Sequence, residues 1–282
     1  MFNFKYIYIA LAGLLICFPI LGSSQIRQKA TEISIFGGFS SYQGDLAQNV
    51  RLGDSRPAFG FALKRATLPH FAYTLGLNYG SIYASDADSK DTKARNLSFR
   101  SDILEFGLTT EFNFFAYQVG LDRKKFTPYL MTGIYYYKFK PEAELNGKIY
   151  SLSEYGTEGQ GIIAGTNRYN LGGIAIPVGG GVKYALTKHI NLLVHSAVRV
   201  TFTDYLDDVS GNYPDLELLG KLRGDIAVDL SDRSADLKLG KTGFKRGNSE
   251  KRDFYFFSGI TLSYVINQPI CPNFKRDPFG IL

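Results

Sequence analysis

The sequence predicts an all-β protein, an eight-stranded antiparallel transmembrane β-barrel with long outer loops. Three observations carry that prediction: an N-terminal export signal, period-two alternation in eight separate segments, and connections that alternate between long and short. After the signal, no stretch reaches the about 18 uninterrupted apolar residues a membrane-crossing helix needs.

The signal comes first in the chain. Lys5 is followed by an apolar run over residues 6–21 broken only by Gly13 and Pro19, and then by Gly22, Ser23 and Ser24. The run is short for a span and ends in small residues, so residues 1–24 read as a signal peptide cleaved before Gln25. Cys17 follows Ile16, where a lipid-attachment site needs a small side chain. It therefore leaves with the signal, and Cys271 is the one thiol of the mature chain. The barrel is expected over residues 25–266, with a periplasmic C-terminal tail over 267–282.

The expected strands cover residues 32–42, 57–66, 71–83, 97–114, 127–140, 173–186, 190–204 and 254–266. Each is long enough for a tilted membrane strand of about 9 to 11 residues. In the fourth, Leu104, Phe106, Leu108, Phe112 and Phe114 oppose Glu105, Thr109, Glu111 and Asn113. In the sixth, Ile174, Ile176, Val178, Val182, Tyr184 and Leu186 oppose Ala175, Gly179, Gly181 and Lys183. Its Pro177 is a local objection, tolerable near the outer end of a strand. The seventh is clearest: Ile190, Leu192, Val194, Ser196, Val198, Val200 and Phe202 on one face, Asn191, His195, Arg199, Thr201 and Thr203 on the other.

A soluble sandwich also alternates, so other features must set the sign of the arrangement. The polar face is Gly, Ser, Thr and Asn with isolated charges Lys64, Glu105, Glu111, Lys183 and Arg199. Those suit a narrow lumen filled by side chains, with buried charges paired across it. His195 is expected to join them as a paired lumen histidine, within reach of Glu105 or Glu111. Aromatics gather at strand ends: Phe71, Tyr73, Phe114, Tyr129, Tyr184 and Tyr264 at one rim, Tyr135, Tyr136, Tyr137, Phe202, Phe254 and Phe256 at the other. These read as two interfacial girdles. The links over 43–56, 84–96, 141–172 and 205–253 are long, whereas those over 67–70 and 187–189 are short and 115–126 is intermediate. With the N-terminus in the periplasm, the long links lie outside, as in outer-membrane barrels.

Composition excludes several alternatives. Two Cys cannot build a disulfide framework, and 45% hydrophobic residues rule out a disordered chain. The formal charge of +6 comes with no dense Lys/Arg stripe, so nucleic acid is not an expected partner. No Gly-rich phosphate loop, Cys/His metal spacing or nucleophile elbow appears, and no cofactor is expected. A lipid-cleaving barrel needs Ser, His and an acid on one face, but parity separates His195 from Ser196. The loop 141–172, with closely spaced Gly156, Gly159, Gly161 and Gly165, reads as a mobile polar loop in preference to a folded cap. A calcium site from Asp204, Asp207 and Asp208 is conceivable, though the spacing matches no known ligand loop.

At the periplasmic side, Arg123, Lys124 and Lys125 form a basic turn, and the tail carries Cys271, Pro272, Phe274, Lys275 and Arg276. These are the candidate partner-binding residues; solvation of the lower rim is the competing reading.

Three segments carry a family resemblance: SSYQGDL (40–46), FTDYLDDVSGNY (202–213), and RGNS (246–249) with DFYFFSGITLSY (253–264). Together with the CPNF tail (271–274) they resemble the PorG family of Bacteroidota outer-membrane proteins associated with type IX secretion. The resemblance spans essentially the whole mature chain and implies an eight-stranded, non-enzymatic barrel. It also implies contact with the periplasmic ring built from PorK and PorN subunits, with roles in protein export and, in gliding species, adhesin delivery. The matched positions are Tyr42, Gly44, Asp45, Asp204, Tyr205, Asp207, Asp208 and Tyr213. The alternative is a structural or adhesive outer-membrane barrel acting through its outer loops.

Overall fold

The computed structural model describes residues 30–68, 70–89, 92–117, 125–162, 166–234 and 239–267. The expected signal peptide and tail lie outside them. Nine strands form: β1 (Ala30–Gln43), β2 (Arg56–Leu68), β3 (Phe71–Ser85), β4 (Ser98–Asn113), β5 (Phe126–Leu145), β6 (Lys148–Ser151), β7 (Gly172–Ala185), β8 (Ile190–Thr201) and β9 (Phe254–Asn267). Eight of them, all but β6, close into an antiparallel barrel, with β1 on β9 and β4 on β5 completing the circuit.

Register fixes the shape. From Leu104 on β4, paired residues run through Tyr79, Phe59, Gly37, Ile260 and Val194 to Val182 in one direction, and through Lys138 to Gly172 in the other. The two paths meet on β7 ten residues apart. A shear of that size over eight strands tilts them by about 40° and leaves an interior that side chains fill.

The outer surface is an apolar belt. Ile35, Phe61, Leu77, Phe106, Ile134, Val178, Val194 and Leu262 all face outward, with Ile35 58% and Phe61 63% exposed. Water would penalise such a band on every strand, whereas lipid satisfies it, and a closed barrel leaves no unpaired edge inside the hydrocarbon. Among the described residues no helix is long and apolar enough to cross a membrane.

Several expectations are corrected here. Tyr129, Tyr135 and Tyr137 are at most 3% exposed and point into the lumen, because odd positions of β5 face inward. Of the trio at 135–137 only Tyr136 stands on the outer girdle, at 53% exposure. β8 ends at Thr201, not Asp204, and β5 runs on to Leu145, where Asn146 and Gly147 take positive φ (52° and 75°) and turn the chain back into β6. That two-residue hairpin accepts an Asn-Gly pair for this backbone reason. Opposite Ile176 and Pro177, two register positions are missing from the β5–β7 ladder, between Thr132↔Val178 and Tyr135↔Ala175. Proline has no N–H to donate, so the interruption falls where the sequence put its objection.

Above the strand ends opposite the short turns, the long links fold. Residues 152–162 and 202–253 carry a helical turn α1 (Leu152–Tyr155) and two helices, α2 (Leu216–Arg223) and α3 (Asp225–Ser231). Asp215 caps α2 by accepting from the N–H groups of Glu217 and Leu218. Leu152, Leu206, Val209 and Leu230 join the side chains at the barrel mouth in one buried cluster.

Candidate functional site: a loop cap over a plugged lumen

The lumen is built by alternate residues of the strands. Lys64 on β2 lies 3.0 Å from the Glu111 carboxylate on β4, and the Lys183 ammonium on β7 donates to the same carboxylate at 2.5 Å. Lys183 also donates to Asn113 at 2.7 Å, and Thr74 donates to Glu111 at 3.1 Å. A second cluster centres on Glu105, which accepts from Arg199 at 2.7 Å, Asn78 at 2.8 Å and Tyr255 at 2.8 Å. Each of the five charges has a partner of opposite sign, as buried charges require. His195 does not join them. It stacks on Phe36 with centroids 5.3 Å apart, and its Nδ1 has no hydrogen-bond partner. Parity put it in the lumen correctly, but it packs on an aromatic ring and forms no hydrogen bond or ion pair with Glu111, which lines the same cavity.

Among the described residues, a cavity of about 60 Å³ lies between Lys64, Glu111, His195 and Arg199. That is room for a few waters and for no organic substrate. The Ser196 hydroxyl meets Ser258 on the outer face, so no Ser–His pair forms.

The second polar centre is the cap, and it gathers the three segments that carry the family resemblance. The Tyr42 hydroxyl at the loop end of β1 lies 2.6 Å from Asp207 and 2.7 Å from Asp253. Asp207 also accepts from the Val209 amide, and Asp253 from the Leu206 amide, each at 2.9 Å. A Cβ at position 44 would collide with the Asp253 carboxylate and the Tyr42 hydroxyl, which is why Gly44 follows closely on Tyr42. Asp45 accepts from the Asn248 amide at 2.6 Å, tying SSYQGDL to RGNS.

Arg246 holds the other half. It is 3% exposed and donates to Glu158 at 3.1 Å, to the Asp208 carbonyl at 2.6 Å and to the Ser231 carbonyl at 3.1 Å. Glu158 in turn accepts from the amides of Ser210 and Gly211 at 2.9 and 3.0 Å. Asp208, at a positive φ of 64°, receives the hydroxyls of Thr157 and of Tyr169, the latter at 2.5 Å. Tyr205 stacks on Tyr169 at 4.6 Å. Arg95 grips Asp86 through two 2.7 Å bonds and donates to the carbonyls of Asp45 and Arg246. Tyr213 is buried and its backbone pairs with Phe244 and Gly243.

Burial dominates the electrostatics of this cap. It pushes Asp204 up to about 7, and Asp208 up to about 6 against the opposing pull of Arg246. Burial likewise raises Asp207 and Asp253 well above the ordinary carboxylate range. One hydroxyl proton cannot serve two contacts as short as those of Tyr42, so the Tyr42–Asp207–Asp253 cluster holds an additional proton.

One expectation and one disfavoured alternative fall here. The link 141–172 is folded in its described parts, with Gly156 to Gln160 buried under the 202–253 link. The calcium reading also fails: Asp207 and Asp208 are turned to separate hydroxyl and amide donors, and among the described residues no group of three or more acids, His or Cys can hold a metal. Glu158, Tyr169, Asp86 and Arg95 were missed by sequence reasoning, and only the glycine spacing at 156–161 hinted at a compact turn. Of the expected partner-binding residues, Lys125 is exposed at the short-turn end; Arg123, Lys124, Cys271, Pro272, Phe274, Lys275 and Arg276 lie outside the described residues.

Comparison with known proteins adds a family. The model described as "Domain of unknown function (DUF6089)" matches residues 12–232, and the chain belongs to that family. No curated protein matches the sequence. Among solved structures, the chain is similar to the N-terminal β-barrel domain of Pseudomonas aeruginosa OprF, at 7% identity and a TM-score of 0.36, covering 85% of this chain and 98% of that one. It is similar to Ail, the attachment invasion locus protein of Yersinia pestis, at 8% identity and a TM-score of 0.39, covering 84% and 98%. It is also similar to Neisserial surface protein A, at 9% identity and a TM-score of 0.38, covering 83% and 96%.

Proposed function

We propose that this DUF6089 member is a non-catalytic outer-membrane barrel of the type IX protein secretion machinery, anchoring the periplasmic ring complex to the membrane. The observation that carries the non-catalytic, non-conducting part is the lumen: two ion-pair clusters and the rings of Tyr129, Tyr135 and Phe257 fill it, leaving about 60 Å³. A barrel closed in this way acts by what it binds, not by what it passes. The apolar belt supports membrane insertion, and the folded long links suit the side away from the periplasm.

The type IX assignment is supported by the resemblance of segments 40–46, 202–213, 246–249 and 253–264, together with a chain that continues beyond β9. PorK-like and PorN-like ring subunits would then meet the short-turn side, at Arg123, Lys124, Lys125 and the tail. Pull-down from detergent extracts, with and without residues 267–282, tests this: intact protein should bring down ring subunits and the truncated protein should bring down fewer. Intact, membrane-inserted protein that retains none would sink the reading. The alternative, an adhesive or structural barrel, draws on exposed apolar side chains in the outer links, Leu218 and Leu222 on α2 and Phe244. It predicts normal cargo secretion when residues 205–253 are trimmed.

A further inference from the structure

The outward face changes character where the apolar belt ends on the loop side. On the β4–β5 ladder, Leu104, 49% exposed, pairs with Lys138; one pleat farther Asp102 pairs with Lys140, and the next position pairs Arg100 with Glu142. Arg100 and Lys140 are occupied by ion pairs with Asp102 at 3.3 Å and Glu142 at 2.6 Å. Lys138 is exposed and, among the described residues, has no carboxylate within ion-pair distance. Its neighbour on the other side is Gly172, which puts no side chain of its own beside the ammonium.

The same pattern recurs around the rim. Arg252, just before β9, lays its guanidinium over the Phe202 ring at 5.3 Å, and Phe202 is 56% exposed at the outer end of β8. Arg56, opening β2, lies over the Tyr83 ring at 4.5 Å. Both are exposed, and among the described residues neither forms a salt bridge, although Asp54 is near enough to Arg56 to feel its charge. Stacking on an aromatic ring holds a planar guanidinium in place while leaving its N–H groups directed outward, the arrangement suited to bidentate contact with phosphate.

We propose that this rim binds the phosphate groups of the outer-leaflet glycolipid, through Lys138, Arg56 and Arg252. The inference rests on the barrel spanning the outer membrane with its long links outside. Three features argue for a lipid and not a soluble anion. The cations stand where the apolar belt stops, the height of a headgroup; they are spread around the barrel and form no single pocket; and each adjoins an apolar or aromatic residue, exposed at Leu104 and Phe202 and half-buried at Tyr83, that an acyl chain or sugar can cover.

The test uses the full chain refolded in detergent. Fluorescent bisphosphorylated lipid A is titrated at several salt concentrations beside dephosphorylated lipid A, with inorganic phosphate as competitor. Salt-sensitive binding of the phosphorylated lipid only is the expected result. The triple variant Arg56→Gln, Lys138→Gln, Arg252→Gln should bind about a hundredfold more weakly, since each cation near an anionic surface contributes about a factor of five. Lys138→Gln alone, at an exposed site, covers the case in which the triple variant does not fold. Equal binding of dephosphorylated lipid, unchanged affinity in either folded variant, or full displacement by millimolar phosphate would overturn the proposal. Heat-modifiable migration on gels reads barrel insertion separately: wild-type protein that never shows it fails the membrane reading itself, not the phosphate assignment.

Discussion

Truncating Arg246 isolates what holds the cap together. In Arg246→Ala the Glu158 carboxylate, 3.1 Å from the guanidinium, loses its ion pair, Asp208 loses the charge 3.8 Å away, and the carbonyls of Asp208 and Ser231 lose their donor. All of these groups are buried. Removing one partner of a buried pair costs about 3–5 kcal/mol, because the remaining charge stays desolvated. A mid-range loss of about 4 kcal/mol moves the closed-to-open equilibrium of the cap by about a thousandfold. The assay is hydrogen exchange at the Ser210 and Gly211 amides, which donate to Glu158 in the closed cap. Their exchange should accelerate steeply while the barrel keeps its heat-modifiable migration, since the lumen pairs Lys183–Glu111 and Arg199–Glu105 are untouched. Adding Glu158→Gln should recover part of the protection by removing the stranded charge. Wild-type exchange rates in Arg246→Ala would refute the reasoning.

Other expectations follow from the same geometry. Burial raises the folded-state values of Asp208 to about 6 and Asp204 to about 7, above the unfolded carboxylate at about 3.9. The stability these acids contribute is therefore fully present below about pH 4 and lost as pH rises through 6 to 7, so cap amides, corrected for intrinsic rates, should exchange more slowly at pH 5 than at pH 8; the reverse order would contradict the burial argument. A Cβ at Gly179 would strike the Ser196 carbonyl and Ala197, whereas one at Gly37 meets nothing within 4 Å. Gly179→Val should abolish the heat-modifiable band and Gly37→Ala should keep it, and equal behaviour would deny the tight β7–β8 approach. Planar-bilayer recordings of the wild type should show no large stable pores, because the lumen is filled; sustained conductance would show that it is not.

The strands were legible because lipid enforces apolarity on every second residue, and eight expected segments match eight barrel strands to within a few residues at most ends. β6 and the extension of β5 were not read, because beyond the belt nothing demands an apolar outer face; Asn146–Gly147 was the one local cue. The girdle was overfilled by Tyr129, Tyr135 and Tyr137, although parity with exposed Leu130, Ile134 and Tyr136 would have turned them inward. In the lumen, Lys64, Glu105, Glu111, Lys183 and Arg199 could be named from alternation, yet His195 shows that sharing an interior does not choose the neighbour. The cap joins Tyr42 to Asp207 and Asp253, and Glu158 to Arg246. Contacts over such separations leave no spacing to read, so the segments were recognisable by resemblance before their packing explained them.

If the barrel serves export by binding and anchoring, its loss should show in cargo release. A deletion strain, complemented with wild-type protein or with the chain lacking residues 267–282, is assayed for type IX cargo in the medium and the periplasm. Cargo should be retained in the deletion strain, wild type should restore its release, and the truncated protein should restore less while still inserting as a barrel. Undiminished cargo release in the deletion strain would contradict that role.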